Sequence, residues 1–161
     1  MADQLQVEPP TSDNDGLRRV ADLLGGIRIL RHRLNTSFDA HEMLLHGIPG
    51  AALVHLVENL AVLHKSASFE RAVGMSLRTI QRRKDAPAKP LNQEQSGRTW
   101  KFAEILAKAT TVLGSQDAAE QWMQRPAMGL DQRCPIDLLA TPAGVEIVET
   151  FLGRLEYGVY T

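Results

Sequence analysis

The residues Phe102, Ile105, Leu106, Ala109, Val112 and Leu113 recur at intervals of three and four, and Gly114 follows the last of them. That spacing puts six apolar side chains on one stripe of a helix, and a glycine just past the stripe ends it in the left-handed conformation that a C-cap needs. A chain built around such a stripe must bury it against other helices or a sheet, and the rest of the sequence supplies helices. Leu53, Leu56, Val57, Leu60 and Leu63 form a second stripe behind the turn Gly47-Ile-Pro-Gly50, with Pro49 placed for a first helical turn. Val145, Val148, Leu152 and Leu155 form a third, opened by the cap Thr141-Pro142 and stopped by Gly158. Aromatics are only 5% of the chain, and the apolar residues are mostly Leu, Ala, Val and Ile. The expectation is an all-α fold.

Shorter elements fill the gaps. Met1–Gly16 is acidic, polar and poor in large apolar residues, which predicts a disordered N-terminus. A helix is expected from Leu17, with Val20, Leu23 and Leu24 on one face and Gly25-Gly26 at its end. Arg28, Arg31 and Arg33 alternate with Ile27, Ile29, Leu30 and Leu34, a pattern that fits either a strand or a short amphipathic helix. Pro87 and Pro90 break the chain between Asp85 and Gly97. Ser115 or Asp117 caps a helix that ends near Arg125-Pro126, and Pro135–Leu139 reads as one helical turn. These breaks divide the chain into the N-terminus 1–16, a helical part 17–95 and a C-terminal part 96–161.

The net charge of −1 conceals a partition. Residues 1–64 carry a net −3, residues 65–114 a net +6 and residues 115–161 a net −4. A basic middle between acidic ends points to one anion-binding surface, with nucleic acid first among its partners. The segment Ser68-Phe-Glu-Arg-Ala-Val-Gly-Met-Ser-Leu-Arg-Thr-Ile-Gln-Arg-Arg-Lys84 gives that surface a form. Gly74 fits the tight turn between two helices, Ser76 caps the second, and Leu77 and Ile80 anchor it. Arg78, Gln81 and Arg82 then share the opposite face, with Thr79, Arg83 and Lys84 beside them. A helix with an apolar back and an Arg/Gln front suits a major groove, where Arg pairs with guanine and Gln with adenine. A solvated basic helix end, favoured by the helix dipole alone, is the plainer reading. Glu70 sits four residues before the turn glycine, where repressor-type helix-turn-helix units often have alanine. Either the helices cross differently here or Glu70 points outward.

No catalytic constellation emerges. His41 and His46 are five apart and miss the spacing of a helical metal pair, and Cys134 is the only cysteine. There is no nucleophile elbow and no phosphate loop, and Glu42 and Glu58 stand singly. No metal, no cofactor and no enzymatic activity are expected. No signal peptide leads the chain and no apolar run approaches the ~20 residues that span a bilayer. Together with the single cysteine, this fits a reducing cytoplasm.

From Phe102 onward the sequence resembles the toxin-binding domain of Xre-, MbcA- and ParS-type antitoxins. The matching residues are the Phe102–Gly114 helix, Ala118-Ala-Glu-Gln-Trp-Met-Gln-Arg-Pro126, Leu130, Pro135-Ile-Asp-Leu-Leu139, Thr141-Pro-Ala-Gly144 and Leu155-Glu-Tyr-Gly158. Phe69 to Arg83 resembles the helix-turn-helix part of that family, so the likeness spans roughly residues 47–161. It implies an antitoxin that dimerises, binds operator DNA to repress its own operon, and blocks a cognate RES-domain toxin that degrades NAD. It also implies that the C-terminal end, Tyr157, Gly158, Val159, Tyr160 and Thr161, enters the toxin active site. A stand-alone helix-turn-helix regulator, whose C-terminal part only dimerises or binds a small ligand, is the alternative. The leucine-rich stripes exceed what one small core obviously needs, which also predicts a homodimer.

Overall fold

A computed structural model describes residues 11–158. Among them the chain forms ten α-helices and no strand: α1 Thr11–Leu23, α2 Gly26–Leu30, α3 Ser37–His46, α4 Gly50–Glu58, α5 Ala67–Val73, α6 Leu77–Arg82, α7 Gln93–Leu113, α8 Gln116–Met123, α9 Pro135–Leu138 and α10 Pro142–Glu156. The expected stripe of Phe102–Leu113 is the C-terminal half of α7. Phe102, Ala103, Ile105, Leu106 and Ala109 are all buried on it. Helix α7 is the spine of the fold, packing against α1, α3, α5, α8 and α10. The segments expected as two helical parts therefore meet along one helix and share one core.

Local chemistry sets most of the helix ends. Thr36 caps α3 in a reciprocal box with Asp39, whose carboxylate accepts the backbone N–H of Asn35 at 2.9 Å and of Thr36 at 3.0 Å. Those two bonds, and the Thr36 hydroxyl, hold Asp39 below the usual carboxylate range. Ser115 caps α8 and Thr141 caps α10, each accepting the N–H three residues on. Gly114 ends α7 at φ 96°. Gly144 has a different task. It lies so close under the carbonyl of Leu138 that a Cβ there would overlap it, which brings α10 down onto α9.

Three expectations need correction, and one open alternative is decided. The first helix starts at Thr11, not Leu17, so residues 11–16 are helical where the composition predicted disorder; residues 1–10 lie outside the described residues. Of the two readings open for the basic stretch after Gly25-Gly26, the structure takes the short helix, α2, which ends at Arg31 in the left-handed region with φ 61°. The leucine stripe from Leu53 does not stay helical to Leu63: α4 stops at Glu58, and Leu60 and Leu63 reach the core from the following turns. Pro126, placed by sequence against a helix end, is exposed.

The two stripes invoked for dimerisation are consumed internally, since Leu53, Leu56, Leu63, Ile105 and Leu106 are at most 1% exposed. The large apolar side chains left outside are elsewhere. Phe38 is 81% and Leu45 44% exposed, seven residues apart on one face of α3. Met128, Ile147 and Tyr157 are exposed in the C-terminal part.

Candidate functional site

Helices α5 and α6 form a compact pair. Gly74 ends α5 at φ 74°, and Ser76 starts α6 by accepting the N–H of Thr79 at 3.2 Å. Ile80, 1% exposed, anchors α6 in the core, while Leu77 is half-buried. Glu70 is neither outward nor a packing fault. It is half-buried, and its Oε1 accepts the N–H of Leu77 at 3.2 Å, adding a carboxylate at the start of α6. Ala72, 2% exposed, is the small residue on the buried side of α5.

The six basic-face residues separate into two groups. Arg78, Thr79, Gln81 and Arg82 lie on α6 and are exposed. Arg78 and Arg82, one turn apart, have no acidic partner among the described residues. The Thr79 hydroxyl lies 2.9 Å from that of Ser76 and belongs to the cap. Arg83 and Lys84 fall beyond α6, in the 3-10 turn Arg83–Asp85. The Arg83 stem rests against Gly50, so closely that a Cβ at that glycine would stand 3.2 Å from it. Lys84 pairs with Glu58 of α4 at 3.1 Å. The α6 face is thus a free pair of guanidiniums with an amide between them, carried on a helix fixed at both ends.

The C-terminal part is held to this unit by groups that periodicity does not reveal. The carboxylate of Glu120 on α8 is 1% exposed. It accepts the backbone N–H of Ala61 at 2.9 Å, Val62 at 3.0 Å and Leu63 at 3.3 Å, and also the amide of Gln116 at 3.1 Å. This is why α4 stops at Glu58: the donors that would continue a helical ladder turn to a side chain 57–59 residues away. The sequence signal was available, because Glu120 lies beside Ala119 and three before Met123, on the buried face of α8. Arg98 of α7 makes a second tie, donating to the carbonyls of Arg71 at 3.2 Å and Ala140 at 3.4 Å. Lys101 makes a third, bonded to Glu104 and to Glu149 of α10 at 3.0 Å each. Burial opposes its charge, but the two carboxylates outweigh that and hold its pKa above the ordinary lysine value.

At the far end, Trp122 and Phe151 stack with centroids 6.1 Å apart and planes 5° from parallel. Leu130, Ile136 and Leu139 are buried. Helix α10 ends at Glu156, Tyr157 is 81% exposed, and Gly158 has φ 67° with open space where a Cβ would stand. Val159, Tyr160 and Thr161 lie outside the described residues. Cys134 bonds to the carbonyl of Gln124 at 3.3 Å, and burial, with the nearby charge of Asp137, pushes its thiol pKa up, away from reactivity. No group of His, Cys, Asp and Glu that could hold a metal occurs among the described residues, and none of their helices is long and apolar enough to cross a membrane.

Comparison with known proteins covers both halves. A family model described as the antitoxin Xre/MbcA/ParS C-terminal toxin-binding domain matches residues 108–158, and one described as the antitoxin Xre-like helix-turn-helix domain matches residues 39–104. A protein named Antitoxin Xre from Photorhabdus laumondii is 30% identical over 118 residues, 73% of this chain and 78% of its own length. One of the same name from Yersinia enterocolitica is 33% identical over 96 residues, 59% of this chain and 64% of that one. A third, from Pseudomonas putida, is 30% identical over 125 residues, 78% and 76% of the two chains.

Proposed function

The chain belongs to the Xre-type antitoxins, with an Xre-like helix-turn-helix domain followed by a toxin-binding domain, and from that premise we propose that it silences a cognate RES-domain toxin with its C-terminal end and represses its own operon through α6. The observation that carries the proposal is the end of α10. An exposed tyrosine, Tyr157, is followed by a left-handed glycine at the tip of the domain that matches toxin-binding proteins. Beyond it the sequence adds Val159, Tyr160 and Thr161.

The chemistry of the proposed target explains why such an ending inhibits. A pocket that degrades NAD must meet a pyrophosphate with Arg, Lys or clustered amide donors and offer apolar surface to the rings. Tyr160 fills the ring space, and the polar backbone of the segment after Gly158 meets the donors. Gly158 turns the backbone away from the helix axis at no steric cost. The domain body supplies the contact area and holds the tip at high effective concentration. Deleting Val159-Tyr160-Thr161 is expected to restore NAD degradation by the toxin while the complex still forms and promoter binding stays normal. Full silencing by the truncated protein at equal concentration would place inhibition in the domain body instead.

The remaining parts follow from this reading. Arg78, Gln81 and Arg82 would read base edges, with Thr79, Arg83 and Lys84 at the margin. Two copies would match a palindromic operator, and the exposed Phe38–Leu45 face of α3 is the available apolar surface for pairing. The complex would act in the cytoplasm, where both NAD and the operon are found.

A further inference from the structure

We propose that Arg28, Arg31 and Arg33 form a second contact to DNA phosphates, separate from the helix-turn-helix pair. The inference rests on the DNA-binding reading above and extends it to a segment that the family match, beginning at residue 39, does not include.

The charge partition by thirds hides this cluster. Between residues 17 and 36 there are five arginines, at 18, 19, 28, 31 and 33, against one acidic residue, Asp22. Arg19 is occupied, donating to the Thr111 hydroxyl. Arg28, Arg31 and Arg33 are exposed and form neither an ion pair nor a side-chain hydrogen bond among the described residues. Three guanidiniums within six residues repel one another, and nothing in the described fold neutralises them. A polyanion would.

Arg28 and Arg31 are also held in place, with Arg33 two residues further on. Helix α2 is five residues long and bracketed by left-handed residues, Gly25 at φ 96° and Arg31 at φ 61°. Leu24 and Leu30, at 0% and 1% exposure, pin both ends to the core. Arg31 donates its N–H to the carbonyl of Ile27 at 2.9 Å, a cap geometry that glycine adopts more readily. Its side chain therefore earns its place by something other than backbone fit.

Placement favours DNA as the partner. Helix α2 packs against α4, and α4 packs against both α6 and the turn Arg83–Asp85. Two successive helix packings of about 8–10 Å put α2 within roughly 20 Å of α6. A major groove is about 12 Å wide, so cations within that distance of a helix seated in it are close enough to reach the phosphates beyond the groove wall. Arginine suits those phosphates because its planar fork binds two oxygens at once.

The test compares the full-length wild type with the variant Arg28→Gln, Arg31→Gly, Arg33→Gln; glycine at 31 keeps the left-handed cap. Affinity for a 30-bp random-sequence duplex and for the fragment upstream of the gene is measured between 50 and 200 mM salt, with Arg82→Ala as the control, using about 0.9 units of log-log salt slope per lost phosphate contact. The expected result is a slope shallower by about 2–3 on both duplexes, so that over this fourfold salt range the variant loses roughly 40-fold less affinity than the wild type. Arg82→Ala should instead weaken the upstream fragment more than the random duplex. An unchanged slope in the triple variant, with Arg82→Ala still selective, overturns the second contact and leaves the DNA reading standing. A wild type that binds neither duplex overturns both. Loss of toxin co-purification by the triple variant, with its salt slope intact, assigns the cluster to the toxin and overturns the proposal.

Discussion

Glu120 offers the sharpest test of how the two halves are joined. Replacing it with alanine removes one buried carboxylate and five hydrogen bonds from four donors. The consequences differ among the donors. Ala61 and Val62 are exposed, so their N–H groups can turn to water and each loses a net bond of about 0.5–1.5 kcal/mol. Leu63 is fully buried, and its N–H is left unpaired at a cost of about 1–3 kcal/mol. Removing an ion from the interior returns part of that sum, because a buried charge is itself costly. The expected net loss is about 3 kcal/mol, which for a chain of this size lowers Tm by roughly 6–12 °C. Glu120→Gln keeps one acceptor oxygen but turns an NH2 toward the donor fan, so an intermediate loss of about 1–2 kcal/mol is expected. Urea denaturation followed by circular dichroism reads both. A loss under about 1 kcal/mol for alanine, or a glutamine variant as unstable as the alanine one, would refute the account of Glu120 as the anchor of the 59–63 turn.

Three further outcomes are expected. Arg78→Ala and Arg82→Ala should each weaken binding to promoter DNA by about 1–3 kcal/mol in a gel-shift titration while toxin binding survives, and unchanged promoter affinity in both would remove α6 as the reading element. Gly144→Ala should destabilise the fold by at least about 2 kcal/mol in thermal melts, since its Cβ would strike the Leu138 carbonyl and neither backbone can yield without moving α10. Phe38→Glu with Leu45→Glu should convert a dimer to a monomer in light scattering at micromolar concentration, and a wild type that is already monomeric would end the pairing proposal.

The features readable from sequence are those whose cause lies within a few residues. The caps at Ser76, Ser115 and Thr141, the turn at Gly74 and the buried face of α7 all follow from a side chain acting on its own or the next turn. So does the exposed row Arg78, Gln81, Arg82, because Ile80 fixes which side of α6 faces in. What escaped depends on distant partners. The stripe at Leu60 and Leu63 has helical spacing yet leaves the helix, because a carboxylate 57–59 residues further on takes the N–H groups of Ala61, Val62 and Leu63. Gly50 looks like a turn residue, but it also makes room for Arg83. The stripes that predict dimerisation are buried within the chain, and only the structure shows Phe38 and Leu45 among the apolar side chains left outside. Residues 11–16 are polar and helical at once, since a helix needs an apolar stripe only where it meets the core.

The shared spine has a consequence for how the two activities can be separated. The helix-turn-helix match ends at residue 104 and the toxin-binding match begins at residue 108, and both limits fall inside α7. Phe102, on one side of that gap, meets Phe69 of α5 edge-on with ring centroids 5.0 Å apart. Ile105, Leu106 and Ala109, in and beyond it, are buried on the same helix, which packs against α8 and α10. A chain cut at this point would expose half of the stripe on each fragment, and Glu120 would lose the donors of residues 61–63. Neither fragment keeps the burial that holds its own end in shape. The proposed DNA reading and toxin binding would therefore depend on one shared core, and a destabilising change anywhere along α7 should weaken both together. A substitution that abolishes one and spares the other must act on an exposed surface: the α6 face, the arginines of and after α2, or the tip of α10.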